Sequence, residues 1–216
     1  ISEKDLRDIT PEVLSDAISV IEQNFEPSIN SQDFSRYILN PRVDNEWLRP
    51  NRTLFIGAFQ DILNMKPEAR AELIVSWIKK NITPNTTHNY SRAPITPTGV
   101  YELRIADPHS ADIFFVALAR SMGVAARLDP ATRAPQYKKG DSWQEVELFT
   151  AKENIGKTGT LTLENAPGNA VLPVYTSHYT VQSWNSAVYK TLDFEGSPLV
   201  QKYPCTIDVP AGPLLM

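Results

Sequence analysis

The chain has 216 residues, of which 42% are hydrophobic and 21% charged, and its formal net charge is −4 at pH 7. This composition is typical of a folded globular domain and excludes a disordered chain. The negative charge argues against a nucleic-acid partner, which usually meets a basic surface.

Further classes of protein are excluded by specific residue patterns. No apolar run reaches the length of a membrane span, so we predict no membrane-spanning segment. The single cysteine, Cys205, rules out an internal disulfide, and the histidines at 88, 109 and 178 are not spaced as zinc ligands. We therefore expect no metal and no other cofactor. A first residue that is Ile suggests a processed chain or part of a longer protein, and the oligomeric state is not indicated.

Residues 1–104 have the apolar spacing of helices. Thr10 can cap a helix that begins with Pro11, and two further helices are predicted over about 31–39 and 51–63. A fourth is predicted after Pro67. The inward faces of these helices are expected to include Leu14, Leu54 and Leu73.

Residues 105–128 are predicted to form the centre of the fold. Asp107 can cap a helix, and Pro108 suits its first position, where a missing N–H has no consequence. Every residue from 113 to 119 is apolar, which predicts a helix buried on all sides. Gly123 is placed to end this helix in the left-handed conformation, and 124–128 reads as a short buried strand.

From residue 128 onward the pattern favours short strands and turns. Strands are predicted over 143–149, 160–163, 174–182 and 186–192, with a hairpin turn at 138–141. The predicted fold class is therefore α+β. We expect one domain over 1–155, whose residues 1–80 are helical, and a β-rich, sandwich-like second domain over 156–216 that stops abruptly and is incomplete.

The run FFVALARSMGVAARLD, residues 114–129, resembles the core helix and following strand of the transglutaminase-like superfamily, which has a papain-like fold. That family has a cysteine-headed helix, an arginine near its end, and then Gly-Ile-Pro-Ala-Arg. Arg120, Gly123 and Arg127 fit this pattern, with Ala125 where the family often has proline. Residues 143–146, WQEV, resemble the family's His-x-Trp-x-Glu-Val strand. The resemblance implies a buried helix packed against an antiparallel sheet.

The catalytic residues of that family do not carry over. Its cysteine would fall at Pro108, its histidine at Asp141, and its aspartate in or near 157–163, which contains none. The resemblance therefore implies a degenerate enzyme that acts as a peptide-binding, carbohydrate-binding or scaffolding module. It also implies a larger exported bacterial protein, periplasmic or at the cell surface. The alternative is an active hydrolase or acyltransferase with a substituted nucleophile.

Three residues are candidates for such substituted catalysis: Ser110, His109 and Asp141. Ser110 and His109 lie at the predicted helix start, where free N–H groups and the helix dipole favour an anion. Adjacent helical side chains point about 100° apart, so His109 is poorly oriented to act as a base for Ser110. The alternative that Asp107, His109 and Ser110 only cap the helix stays open.

The predicted ligand-binding residues come from the segments that would line the family's cleft, namely the loop 85–99, the helix start and the strand 141–145, with Tyr101 added from just after the loop and Arg127 from the end of the core strand. They are Tyr90, Arg92, Tyr101, Asp107, His109, Arg127, Trp143 and Glu145. The loop residues could instead be solvated. Arg127 could hold a ligand carboxylate, or it could belong to Arg–Asp ion pairs at the ends of the central helix, together with Arg120. Glu145 is a candidate partner for one of these arginines.

Overall fold

The structure is a computed structural model that describes residues 3–25, 32–85, 87, 89, 93–149, 158–184 and 188–216. Its mixture of helices and small sheets confirms the predicted α+β class. Contacts divide the chain into two units, of which the first is 1–128 with 134–151 and the second is 129–133 with 152–216. The predicted domain boundary between residues 155 and 156 lies outside the described residues.

The first unit contains most of the helices. Their bounds are α1 Glu3–Asp8, α2 Pro11–Asn24, α3 Gln32–Phe34, α4 Arg52–Ala58, α5 Pro67–Asn81, α6 Pro97–Leu103 and α7 Pro108–Ser121. A π-helical turn, Ser35–Leu39, continues α3, and a 3₁₀ turn, Gln60–Ile62, follows α4. Thr10 caps α2 as predicted, because its hydroxyl accepts from the N–H of Val13 at 3.4 Å. Among the described residues, no helix combines the length and the apolarity needed to cross a membrane.

Helix α7 is the centre of the first unit, as predicted. Phe114, Val116 and Leu118 are all 0% exposed, which confirms that the helix is buried around its circumference. Gly123 ends it with φ +68°, and a Cβ atom there would lie 2.7 Å from the ring of Phe25, so the turn requires glycine.

A three-stranded antiparallel sheet packs against α7. Its strands are β3 Ala126–Leu128, β4 Pro135–Lys139 and β5 Ser142–Glu145, in that order. Ala126, Leu128 and Tyr137 face inward and belong to the same core as α7. The sequence did not predict β4, and β5 is shorter than the predicted strand 143–149. A parallel pair, β1 Thr83–Pro84 and β2 Ile105–Ala106, lies before α7 in the chain.

Some predicted helix faces are wrong at their margins. Leu14, Leu54 and Leu73 were expected to face inward, but they are 37%, 40% and 42% exposed. Their neighbours Val13, Phe55 and Ile74 are buried instead. The buried face of each of these helices is therefore narrower than the stripe of apolar residues in its sequence.

The described residues of the second unit form two small sheets. One pairs β6 Thr158–Leu163 with β9 Cys205–Pro210, and the other has the order β10 Leu214–Leu215, β7 Gln182–Trp184, β8 Tyr189–Thr191. Its own core includes Tyr175, Val181, Phe194 and Ile207. The predicted strand over 174–182 is wrong, because this segment forms a turn in which Tyr175 bridges Tyr179.

Candidate functional site

The N–H groups at the start of α7 donate to a carboxylate of the protein itself, that of Asp107. Asp107 accepts hydrogen bonds from the N–H groups of His109 and Ser110, both at 3.1 Å, from the Ser110 hydroxyl, and from the Asn89 amide at 3.0 Å. Burial alone would raise the pKa of Asp107, but these hydrogen bonds and the neighbouring His109 outweigh burial and lower it. The helix start thus holds a negative charge of its own.

The hydroxyl of Ser110 is buried and both donates and accepts a hydrogen bond within the protein. Its Oγ donates to Asp107 and accepts from the N–H of Ile95 at 2.9 Å, and the residue is 0% exposed. A nucleophile has to meet a substrate, and a fully buried hydroxyl does not. In this conformation Ser110 joins the loop before α6 to the start of α7.

His109 pairs with a residue that the sequence did not indicate. Its Nε2 lies 3.1 Å from Oδ2 of Asp44, and its side chain is 40% exposed. A histidine oriented by a carboxylate can act as a general base, provided that a nucleophile lies within hydrogen-bond reach of it. The partner of this ring nitrogen is Asp44 and not Ser110, so the structure does not join the two predicted neighbours into a nucleophile–base pair.

The transglutaminase-like pattern aligns its cysteine with Pro108 and its histidine with Asp141. The first of these residues has no reactive group, and the second is exposed in a turn. Pro108 occupies the first position of α7, where it has no group to donate or accept a proton. Asp141 is exposed in the two-residue turn Gly140–Asp141, between the paired residues Lys139 and Ser142.

Three predicted ligand-binding residues share the side of the β3–β4–β5 sheet that points away from α7. Register places Gln136 between Arg127 and Glu145, and Trp143 opposite Lys138. Because side chains alternate along a strand, these five side chains lie on one face. Tyr37, from the π-helical turn, joins them, and we call the set Tyr37, Arg127, Gln136, Lys138, Trp143 and Glu145 the outer sheet face.

Aromatic and guanidinium groups order this face. The rings of Trp143 and Tyr37 meet edge to face, with centroids 4.8 Å apart. The guanidinium carbon of Arg127 lies 4.2 Å from the Trp143 centroid, and its Nε donates to Oε1 of Gln136 at 2.9 Å. The ammonium group of Lys138 forms an ion pair with the carboxylate of Asp33. The half-buried Trp143 ring is therefore fixed in direction and surrounded by planar polar groups.

Buried arginines hold the segment that carries Tyr37. Arg120 donates to the carbonyls of Ala126, Asn40 and Arg42 at 2.9, 3.0 and 2.6 Å, and Arg52 donates to that of Leu39 at 3.0 Å. These three hydrogen bonds of Arg120 go to backbone carbonyls, whereas the sequence had favoured an ion pair with an aspartate.

Burial lowers the pKa of both guanidinium groups, to about 10 for Arg120 and to about 9 for Arg52. Both values lie above neutral pH, so these side chains keep their charge and their donor geometry. Position 120 matched the family pattern, whereas the role of Arg52 had no signal in the sequence.

Tyr101 lies in a different cluster. Its ring stacks on Trp77 with centroids 5.8 Å apart, and the guanidinium of Arg104 lies 4.2 Å from its centroid. It packs against the core of the first unit. Tyr90 and Arg92 lie outside the described residues. Those predicted ligand-binding residues that the structure describes therefore fall into the outer sheet face, the start of α7 and this cluster.

Within the part of the chain that the structure describes, no group of three or more His, Cys, Asp or Glu residues is arranged to hold a metal ion. The thiol of Cys205, the single cysteine of the sequence, belongs to β9 in the second unit and is buried. Burial raises its pKa, which lowers the fraction of reactive thiolate near neutral pH.

No protein-family model matches the sequence, and no curated protein matches it. A solved structure, that of a provisionally assigned cysteine protease from Cytophaga hutchinsonii, is similar with a TM-score of 0.44 and 15% sequence identity. The similarity covers 59% of this chain and 47% of that protein, so the matched part spans about half of its length. A likeness at this level decides neither the fold nor the activity of the chain.

Proposed function

We propose that the first unit is a transglutaminase-like domain without thiol catalysis, and that it binds a carbohydrate on the outer sheet face. The observation that carries the proposal is the half-buried Trp143 ring, held by Tyr37 and Arg127, with Gln136 and Glu145 beside it. The C–H groups of a sugar ring carry partial positive charge and stack on the negative face of an aromatic ring. Guanidinium, amide and carboxylate groups at its rim are suited to the sugar hydroxyls.

The proposed loss of catalysis is supported by the start of α7. Pro108 has no reactive group, Ser110 is buried and hydrogen-bonded on both sides, and Asp107 already neutralises the helix start. The alternative, a hydrolase with a substituted nucleophile, is favoured by the pair of His109 and Asp44. That pair alone lacks the hydroxyl or thiol partner that such chemistry needs.

A carbohydrate ligand fits the context that the sequence resemblance implies, a module of a larger exported bacterial protein in the periplasm or at the cell surface. We include this location in the proposal. A fractionation of the native organism with an antibody to the chain tests it independently of the ligand.

The binding proposal is tested with the full chain and neutral oligosaccharides, namely cellohexaose, xylohexaose and chitohexaose, by calorimetry and tryptophan fluorescence. We expect one of them to bind and Trp143→Ala to weaken its affinity by about tenfold or more, because losing one stacking platform removes at least about 1.4 kcal/mol. Trp47→Ala is the matched control, since Trp47 is 75% exposed and outside this face.

Two results would contradict the carbohydrate proposal. One is that no oligosaccharide binds, and the other is that Trp47→Ala and Trp143→Ala have equal effects. A peptide library retained by the native chain and lost with Trp143→Ala would assign the same face to peptides instead.

A further inference from the structure

The second unit contains a groove that the proposed carbohydrate site does not use. Its volume is about 520 Å³, within the range of ligand sites, and its walls come from residues 161–164 and 214–216. Tyr179 and Tyr203 also line it. Consecutive residues of a strand point to opposite faces, so a groove that touches the last three residues of β6 and the residue after them runs along the edge of this strand. The other wall runs along β10.

Both strands have an unpaired edge at this groove. Strand β6 pairs with β9 and strand β10 with β7, and among the described residues neither has a partner on its other side. Thr158 lies opposite Pro210, which has no N–H, so this position belongs to the non-hydrogen-bonded set of the antiparallel ladder. With a period of two, Thr160 and Thr162 then direct their N–H and C=O groups away from β9.

The side chains that line the groove leave little polar capacity of their own. The hydroxyls of Tyr179 and Tyr203 are bonded to each other, and Nδ1 of His178 accepts from the N–H of Val174 at 3.0 Å. The rest of the lining is largely apolar, with Leu161 and Leu163 pointing into the core side. The hydrogen-bonding groups available to a ligand are therefore mainly the main-chain groups of the strand edges, together with the side chains of Thr162 and Glu164.

We propose that this groove binds an extended peptide segment, which adds a strand to the free edge of β6. Main-chain hydrogen bonds would supply affinity, and alternate apolar side chains of the peptide would fill the groove. Glu164 is the charged side chain of the lining, so the peptide carries a lysine or arginine opposite it. A compact apolar molecule fills the same space but leaves the strand edges without partners.

The test uses the full chain and a synthetic peptide of about eight residues, alternating threonine and valine with one central lysine and blocked at both ends. We expect binding by calorimetry, together with slower hydrogen exchange at the amides of Thr160 and Thr162. Methylating the peptide nitrogens that face β6 is expected to weaken binding by about tenfold or more, because it removes main-chain hydrogen bonds and leaves the side chains unchanged.

Two variants of the chain separate an edge contact from general hydrophobic binding. Thr162→Pro removes an outward N–H, and an edge strand tolerates proline at such a position. Thr162→Val, which keeps the N–H, is its control. We expect only the proline variant to lose about tenfold in affinity, and we expect Glu164→Gln to abolish the preference for lysine over norleucine in the peptide.

The peptide proposal is overturned if the peptide does not bind, or if the methylated peptide binds as tightly as the parent. It is also overturned if Nile red, an uncharged apolar probe, occupies the groove and the peptide does not displace it. Should Thr162→Pro fail to fold, the methylated peptide and the exchange of the two threonine amides decide the question on the unchanged chain.

Discussion

The carboxylate of Asp107 takes the place where a helix start would otherwise attract an anion. It receives four hydrogen bonds, two of them from the first free N–H groups of α7. An outside carboxylate or a developing oxyanion at this point would meet like charge, with the nearest N–H donors already used. One residue therefore explains both the stability of the helix start and its unsuitability as an oxyanion site.

Replacing Asp107 by Asn tests this role through stability. We expect a loss of about 1 kcal/mol in the free energy of unfolding near pH 7, because the amide is uncharged at the positive helix start and has one acceptor oxygen where the carboxylate uses two. The pKa of Asp107 in the folded protein lies below its ordinary value of 3.8. Its carboxylate thus contributes stability that is present above about pH 4 and is lost as the pH falls through the lowered pKa.

Urea denaturation of both proteins over this pH range measures the effect, and the difference between them should shrink with acidification. The exposed Asp141→Asn serves as the control, for which we expect a change within about 0.5 kcal/mol. A difference that stays constant down to about pH 2 would show that the charge of Asp107 is not responsible.

At the scale of elements, the segment 38–42 is held in place by two arginines from helices elsewhere in the first unit. Arg120 reaches it from α7 and Arg52 from α4, and both donate to its backbone carbonyls. A short irregular segment has many carbonyls without partners, and a rigid planar donor satisfies several of them at once. The π-helical turn Ser35–Leu39, which overlaps this segment, brings Tyr37 against Trp143.

The conservative substitution Arg120→Lys is expected to destabilise the protein by about 3 kcal/mol. Lysine keeps the charge, but a single ammonium cannot reach the carbonyls of Ala126, Asn40 and Arg42 with the same geometry, so buried acceptors lose their donors. Denaturant unfolding measures the loss. Arg49→Lys, at an exposed position, is the matched control and should stay within about 0.5 kcal/mol. Equal effects of the two substitutions would contradict a special role for position 120.

The parts of the fold that the sequence predicted well depend on local chemistry. Thr10 and Asp107 cap helices as expected, and Gly123 adopts the left-handed conformation, because each needs only its immediate neighbours. Strand β4 was missed since it begins with Pro135 and alternates polar residues with only one large apolar side chain, Tyr137. Helix α6 is too short for a periodic signal, although Thr96 and Pro97 mark its start.

The candidate site was predictable in part for the same reason. Arg127 lies on β3 and both Trp143 and Glu145 lie on β5, the two strands that flank β4, and the family pattern had already placed all three. Tyr37 and Gln136 could not be found, because Tyr37 comes from a distant part of the chain and Gln136 from the strand that was missed. The partner of His109, Asp44, belongs to an irregular segment without any pattern.

At the scale of the whole molecule, the groups needed for thiol chemistry are dispersed. The helix that would present a thiolate belongs to the first unit and begins with Pro108, whereas the single cysteine lies in β9 of the second unit. In β9, Cys205 pairs with Leu163 and is buried among apolar residues. A thiolate nucleophile requires a lowered pKa and a base within hydrogen-bond reach.

We therefore expect the chain to show no thiol-dependent crosslinking or peptide cleavage. Burial raises the pKa of Cys205, so the thiol stays protonated near neutral pH and reacts slowly with iodoacetamide in the folded protein. Amine incorporation and peptide hydrolysis are assayed for the untreated chain, the iodoacetamide-treated chain and Cys205→Ala, with Cys205→Ser as the near-isosteric control for folding. Turnover that disappears with the reagent and with Cys205→Ala, but not through unfolding, would contradict the proposed loss of catalysis. Turnover that survives both treatments but is lost in His109→Ala would instead assign the chemistry to the pair of His109 and Asp44, because that pair is the acid–base group at the start of α7.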